Sequence, residues 1–186
     1  KRTRSLRAIG AIAGVLASGD SAGNVLLRSR ARVAIGPDAG EAALLARRGV
    51  NVLRGAAPGF ISFTGDVTLA RSHGSRREWQ QLSTRRRAMT IAGTISQSTR
   101  WVAAQKPGAD TWRTLAAQVS RYLDSCTDAG LLAGDATRRA FYVKCDQDTN
   151  AGQAGLSFVA GLALTRPGEF VAFRFDQDTG EGRVTE

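Results

Sequence analysis

Two successive helical patterns, each with one apolar stripe, constrain the fold of this chain more than any other feature. In the first, apolar residues recur three and four positions apart: Ala88, Ile91, Ala92, Ile95 and Val102. The second has a stripe of the same kind: Trp112, Leu115, Val119, Tyr122, Leu123 and Cys126. Pro107 and Gly108 separate the two patterns. Because each helix has only one face to cover, the sequence predicts two long helices on a shared core.

Helix-start signals predict where these helices begin. Ser83 or Thr84 can cap the first and Asp110 the second, because a short polar side chain accepts a hydrogen bond from a free backbone N–H. A shorter helix is predicted earlier in the chain, with Asp38 as its cap and Glu41 at the third helical position, as in a capping box. A following glycine ends that helix.

Segments with strand-like composition lie on both sides of the two long helices. Residues 50–54 and 60–64 are strand patterns joined by a turn at residues 57–59. Three more follow the helices and are expected to be neighbours in one sheet: residues 140–145, 156–164 and 170–175. The predicted fold class is α+β, a mainly antiparallel sheet packed with two long helices.

Positive charge is concentrated in the first part of the chain, whose formal net charge is +10. Residues 1–110 hold 18 Lys/Arg and 6 Asp/Glu, a net +12, while residues 111–186 hold 8 and 10, a net −2. This polarity suits head-to-tail contact between copies or docking on an acidic protein. It also suits nucleic acid, with Trp79, Trp101 and Trp112 stacking on bases, although helix-stripe positions favour core packing. A basic nucleic-acid-binding domain is therefore the alternative to an assembly protein.

No residue pattern in the sequence predicts catalysis or a bound cofactor. His73 is the single histidine and lies in a polar stretch, so a catalytic triad has no evident base. Residues 146–150 alternate oxygen ligands as a calcium loop does, but its glycine and closing glutamate are missing. The glycines along residues 10–23 lack the lysine and hydroxyl residue of a phosphate loop. We expect no enzyme activity, no catalytic residues, no metal and no cofactor.

The context of the chain is only partly constrained. No run approaches the about 20 apolar residues of a membrane helix, so no membrane insertion is expected. Cys126 and Cys145 leave two alternatives, a pair of free thiols or a disulfide linking helix to strand. Because the chain starts at Lys1, we expect residues 1–186 to be a fragment or the ordered part of a longer subunit.

Short segments along nearly the whole chain have a distinctive order and spacing. They are residues 10–15 with Asp20, 49–54, 68–70, 85–86, 101–102, Trp112, Leu123, 130–134, 140–146 with 149–150, and 167–171. Together they resemble the C-terminal domain of tail sheath proteins from contractile phage tails and related contractile injection systems. Two segments depart from the family. Where the family usually has Gly-Ala-Arg-Thr-Leu, residues 65–69 of this chain are Gly-Asp-Val-Thr-Leu, so a cation is missing. Where the family usually has Pro-Ala-Glu-Phe, residues 167–170 are Pro-Gly-Glu-Phe.

The resemblance implies a structural function. Subunits of this family form stacked hexameric rings around an inner tube, and the sheath contracts to drive the tube through a target envelope. The implied partners are other sheath subunits, the inner tail tube protein, and baseplate and tail terminator proteins, with no nucleic acid. The implied location is a virion tail or a cytoplasmically assembled contractile particle.

The resemblance also implies that neighbouring subunits exchange terminal strands. The candidate intersubunit strands are about residues 6–15 and 170–175. Their named residues are Ile9, Ala11, Ile12, Val15, Phe170, Val171, Phe173 and Phe175. Because a donated strand bonds through its main chain, it can tether subunits that rotate against each other.

A second candidate site is the contact with the tube. Arg138 and Arg139 follow a glycine-bounded turn and have no evident local partner beyond Asp135. Charge pairs at a wet interface contribute only about 0.2–1 kcal/mol each, so such a contact can hold and release. The sequence therefore predicts the tube contact at these two arginines.

Overall fold

The computed structural model describes residues 9–17, 25–28, 33, 36–71, 76–135, 137–150, 155–177 and 182–186. The chain divides into two compact units, Lys1–Arg85 and Arg86–Glu186. The helices are α1 (Ile9–Ala17), α2 (Ala39–Arg47), α3 (Arg77–Gln80), α4 (Leu82–Ser98), α5 (Ala109–Asp128) and α6 (Gln147–Asn150). The strands are β1 (Val25–Arg28), β2 (Val52–Ala57), β3 (Phe60–Thr64), β4 (Phe141–Lys144), β5 (Leu156–Ala163), β6 (Phe170–Gln177) and β7 (Gly182–Thr185).

The first unit contains a three-stranded antiparallel sheet in the order β1-β3-β2. Strands β2 and β3 form the predicted hairpin, with Gly59 at φ +84° in its turn. Helix α2 precedes it and has the predicted capping box. Asp38 Oδ1 accepts from Glu41 N at 2.8 Å, and Asp38 N donates to Glu41 Oε2 at 3.0 Å.

The second unit contains a four-stranded antiparallel sheet in the order β4-β5-β6-β7. The side chains of β6 alternate, so that Val171, Phe173 and Phe175 are buried while Phe170 and Ala172 are exposed. The apolar stripes of α4 and α5 supply the rest of the core, including Ile91, Ile95, Leu115, Val119 and Leu123. One sheet face is therefore packed on the helices, and the other, here called the outer face, is exposed at Phe170 and Ala172 of β6 but buried at Ser157 and Ala163 of β5.

A buried polar contact fixes the end of β6 against the end of α4. Gln177 is only 2% exposed, and its Nε2 donates to Ser96 O at 3.1 Å and Thr99 Oγ1 at 2.8 Å. Because a buried amide without partners is costly, these bonds select one alignment of strand and helix.

Two predicted helix caps are wrong. Helix α5 begins at Ala109 with Gly108 as its N-cap and no side-chain cap bond, and Asp110 instead pairs with Arg113. Helix α4 begins at Leu82, so Ser83 and Thr84 lie inside its first turn. Asp66, distant in sequence, accepts from Ser83 N at 2.7 Å and also from Ser83 Oγ. The cap of α4 is thus a tertiary contact, which a local pattern cannot reveal.

The N-terminal segment differs from the strand expected there. Residues 9–17 form helix α1, and Ile9 is 76% exposed. An unpaired strand would leave its backbone groups without partners, whereas a helix satisfies them internally. In this single chain the helix is the structure that needs no neighbour. The predicted intersubunit role of Ile9, Ala11, Ile12 and Val15 remains a prediction.

Candidate assembly surfaces

Residues 146–150, considered above as a calcium loop, form a local capping motif. Asp146 Oδ1 accepts from Thr149 N at 2.9 Å, and Asn150 Oδ1 accepts from Ser157 N at 2.7 Å. The backbone hydrogen bond from Thr149, with nearby Lys144, lowers the pKa of Asp146 below its usual value. No group of three or more His, Cys, Asp or Glu that could hold a metal ion occurs within the part of the chain that the structure describes. His73 lies outside the described residues.

The two cysteines are free thiols. Cys126 is buried on α5, and Cys145 is half-buried after β4. Burial raises the pKa of the Cys145 thiol to about 11, so at neutral pH it is protonated and a poor nucleophile.

The tryptophans do not form an exposed stacking platform in either unit. Trp79 is 7% exposed and lies under Arg85, whose guanidinium carbon is 5.1 Å from the ring centroid. Trp101 is 36% exposed and donates to Gln118 Oε1 at 2.9 Å. Trp112 is half-buried, and its indole nitrogen is buried without a hydrogen-bond partner among the described residues. Nothing in these positions favours nucleic acid.

Two strand edges of the second unit are open among the described strands. Strand β4 pairs only with β5, so its other edge has no neighbour. Strand β6 pairs with β5 along its whole length, but β7 covers only Arg174–Gln177. The first half of β6 therefore also has an open edge. Unpaired backbone groups of this kind are where an added strand binds.

The predicted intersubunit role of Phe170, Val171, Phe173 and Phe175 stays a prediction, and the structure gives the place of residues 170–175 in the single chain. These residues lie in β6, an interior strand with partners on both sides. Val171, Phe173 and Phe175 are 2%, 4% and 1% exposed, so their side chains belong to the core of their own unit. The burial of these apolar side chains opposes their release. The first half of β6 also offers an edge to which another strand could add.

A groove runs beside the open edge of β4. It has a volume of about 630 Å³ and is lined by β4, by polar residues of α5 and by the loop before β4: Ser120, Asp124, Thr127, Gly134, Asp135, Arg138, Arg139, Ala140, Phe141, Tyr142 and Val143. It combines backbone groups, apolar side chains and charges of both signs. These are the features that bind an extended peptide.

The loop with Arg138 and Arg139 is held by Asp135. Its Oδ1 accepts from Thr137 Oγ1 at 2.7 Å, Thr137 N at 2.8 Å and Arg138 N at 2.7 Å. These bonds, with Thr137 first, lower the pKa of Asp135. Both arginines are exposed and line the groove.

An aromatic cluster lies on the outer face near this loop. Tyr142 is paired with Gly161 across the sheet, and the Tyr142 and Phe170 rings meet edge to face with centroids 5.2 Å apart. A Cβ atom at Gly161 would lie 2.0 Å from Tyr142 Cε1, so the ring rests directly on the glycine. Sequence reasoning missed this cluster, because its members come from three strands whose register the sequence does not reveal.

Asp176 of β6 links β5, β6 and β7 at the other end of the outer face. Ser157 Oγ donates to its Oδ1 at 2.6 Å and Arg174 Nε at 2.9 Å, while Arg183 of β7 is its register partner. Burial alone would raise the pKa of Asp176, but these hydrogen bonds and the nearby arginines lower it below its usual value. Strand β7 is therefore held partly by charge.

Comparison with solved structures identifies this arrangement. The chain matches a chain of the cryo-EM structure of the anti-feeding prophage baseplate, six-fold symmetrised, at 22% identity and a TM-score of 0.67, over 84% of this chain and 44% of the other. It matches the anti-feeding prophage helical sheath in the contracted state at 21% identity and a TM-score of 0.65, over 82% and 43%. The chain has a contractile-sheath fold.

A third structure agrees with this fold. The contracted PVC sheath complex of an extracellular contractile injection system matches at 23% identity and a TM-score of 0.59, over 78% of this chain and 42% of the other. The resemblance inferred from the sequence and the α+β class are thereby confirmed. This chain spans less than half the length of the three matched chains. No family model and no curated protein matches it. No helix within the described ranges is long and apolar enough to cross a membrane.

Proposed function

We propose that this chain is the core part of a structural subunit of a contractile tail sheath, which stacks in hexameric rings around an inner tube and contracts to drive it through an envelope. The observation that carries the proposal is the shared fold with two sheath structures in the contracted state. In such a particle its partners are other copies of itself, the tube, the baseplate and the terminator. Contraction needs no cofactor, because the free energy is stored in the extended lattice.

The open strand edges support the assembly part of this proposal. A strand from a neighbouring copy can add to β4 inside the groove, or to the first half of β6. Main-chain hydrogen bonds then join the subunits while each core stays intact. Residues 9–17 are a candidate donor, because Ile9, Ala13 and Ala17 of the helix they form are exposed in the single chain.

Two measurements on the purified protein test this function. Electron microscopy is expected to detect tubular or ring-shaped polymers. Titration with duplex DNA between about 50 and 200 mM salt is expected to detect only weak binding, as any basic surface produces. A protein that stays monomeric and binds DNA tightly, with an affinity that falls steeply with salt, would instead be the nucleic-acid-binding domain considered above.

The tube contact is proposed at Arg138 and Arg139. Replacing both, R138E/R139E, is expected to weaken binding to the tube by about tenfold, since each exposed charge pair contributes about 0.2–1 kcal/mol and reversal adds repulsion. Cosedimentation with the tube measures this effect. The melting temperature should hardly change, because both side chains are exposed.

A matched control changes the net charge equally at another surface of the same unit. Arg100 and Arg121 are also exposed, so R100E/R121E should leave tube binding close to that of the unaltered protein at the same salt. Equal losses in both double variants would mean that only overall charge matters. Normal binding by R138E/R139E would exclude this loop as the contact.

A further inference from the structure

Strand β7 covers only part of the β6 edge and buries little side-chain surface. It pairs with residues 174–177 and leaves residues 170–172 of the same strand beyond its end. Arg183 and Thr185 of β7 are exposed, and Val184 is half-buried. Because none of these three side chains is fully buried, β7 can separate from β6 without taking one of its own side chains out of the core.

The polar contacts of β7 can also be given up at little cost. Asp176 of β6 is the register partner of Arg183, and it accepts hydrogen bonds from Ser157 Oγ at 2.6 Å and Arg174 Nε at 2.9 Å. Both donors lie on β5 and β6, so Asp176 keeps them when β7 leaves. A charged group left without a partner would make the separation costly, and this is avoided here.

Strand β7 has features with which natural sheets protect an edge. An edge strand that is short and carries charged side chains discourages pairing with another chain. β7 is four residues long and carries the exposed Arg183, whereas β6 is eight residues long. Without β7, all eight positions of β6 would form one continuous edge. β7 therefore removes four of these eight positions from the reach of another strand.

The short connection to β6 favours β7 over a strand from another molecule. Only residues 178–181 separate the two strands in the sequence. A short tether gives an effective concentration of about millimolar order, so a strand from another copy at about micromolar concentration competes poorly for the same positions. At a high local concentration, as at the end of a growing polymer, the competing strand gains.

We infer that β7 is an autoinhibitory cover of an assembly edge. While it is paired, a strand from a second copy can reach only the first part of β6. Once it separates, the added strand can extend along all eight positions. The cover therefore raises the concentration at which copies join. The inference rests on the proposed function, which supplies the polymer, and adds to it a control of when the polymer forms.

The first test removes the cover. A variant that ends at Gln177 lacks residues 178–186 but keeps the Gln177 side chain, whose hydrogen bonds join β6 to α4. Sedimentation and electron microscopy compare its polymers with those of the full chain. We expect the concentration for half-maximal polymer formation to fall at least about fivefold, because four more positions of β6 become available for main-chain hydrogen bonds. V184G, which loosens β7 without shortening the chain, should shift this concentration in the same direction by a smaller factor.

The second test fixes the cover in place. Arg174 and Thr185 are directly opposite each other, and the Cα separation of about 4.5–5.5 Å in an antiparallel pair is one that a disulfide can span. Oxidised R174C/T185C is expected to need at least about fivefold more protein for polymers than the same sample after reduction, because β7 can then no longer separate. T185C alone, oxidised and reduced in the same way, is the control and should show no difference.

A truncated variant that polymerises at the same concentration as the full chain would overturn the inference. Loss of polymers on truncation would also overturn it, since β7 would then be needed for assembly. If the truncated variant melts at a clearly lower temperature than the full chain, V184G and the oxidised cysteine pair decide, and no shift in either overturns the inference. If neither the full chain nor any variant forms polymers at any concentration, the proposed function itself fails.

Discussion

Replacing Phe158 by alanine is expected to lower the free energy of unfolding of the second unit by about 3–5 kcal/mol. Phe158 lies in the middle of β5 and is 0% exposed. Its ring stacks on that of Phe175, with centroids 4.7 Å apart and planes 8° from parallel. The variant therefore loses buried apolar area and an aromatic partner, and leaves a cavity in a close-packed core. Urea unfolding followed by circular dichroism measures the change.

Phe170 of the same unit provides the matched control, because F170A removes the same atoms from a side chain that is 36% exposed. We expect that variant to cost well under half as much, since less apolar surface leaves the core. Equal losses in F158A and F170A would mean that the core of the second unit is not where the structure has it.

Replacing Val143 by proline is expected to raise the concentration at which polymers form while leaving the subunit folded. Ala163 N donates to Ala140 O at 2.8 Å, so residues 140 and 163 are a hydrogen-bonded pair of the antiparallel ladder. Along an antiparallel ladder, hydrogen-bonded pairs alternate with pairs that are not hydrogen-bonded. Phe141, next to Ala140, is therefore in a non-bonded pair, and so is Val143, two positions further on. The N–H of Val143 therefore points away from β5, toward the groove beside β4.

Proline removes that N–H without breaking the ladder to β5, which edge strands tolerate. An incoming strand would lose a hydrogen bond and meet the proline ring, at a cost of about 1–3 kcal/mol, or roughly 5–150-fold in the contact equilibrium. The concentration needed for polymers should rise by a similar factor, measured by sedimentation and electron microscopy. V143T keeps both the N–H and the branched shape, so it should polymerise normally. Ordered tubes from V143P at the usual concentration would exclude β4 as the acceptor edge.

The elements of the fold follow from local patterns to a large extent. The stripe residues Ile91 and Ile95 of α4 and Leu115 and Leu123 of α5 are all buried. Their spacing alone predicts this, because side chains three or four positions apart lie on the same face of a helix, and an apolar face packs against the core. The capping box at the start of α2 is equally local and is confirmed. Patterns fail where the partner is distant, as for the Asp66 cap of Ser83, 17 positions along the chain.

A strand can be predicted from the sequence more readily than its place at the edge or in the interior of a sheet. Phe170–Gln177 has an alternating pattern, which predicts a strand with one buried face. Whether it lies at an edge depends on β7, a four-residue strand beyond it whose sequence has only one large apolar residue, Val184. The aromatic cluster is hidden for the same reason, since Tyr142, Gly161 and Phe170 meet only through strand register. Arg138 and Arg139 of the proposed tube contact, in contrast, could be selected from the charges of the local sequence alone.

The unequal lengths of the ladders in the second sheet have a mechanical consequence. β5 and β6 are joined at eight paired positions, whereas β7 is joined to β6 at four. A force directed along the strands loads every hydrogen bond of a ladder at once, so resistance to shear grows with the number of paired positions. Under tension the β5–β6 ladder would carry the load as the stiff member of this unit, and β7 would yield before it.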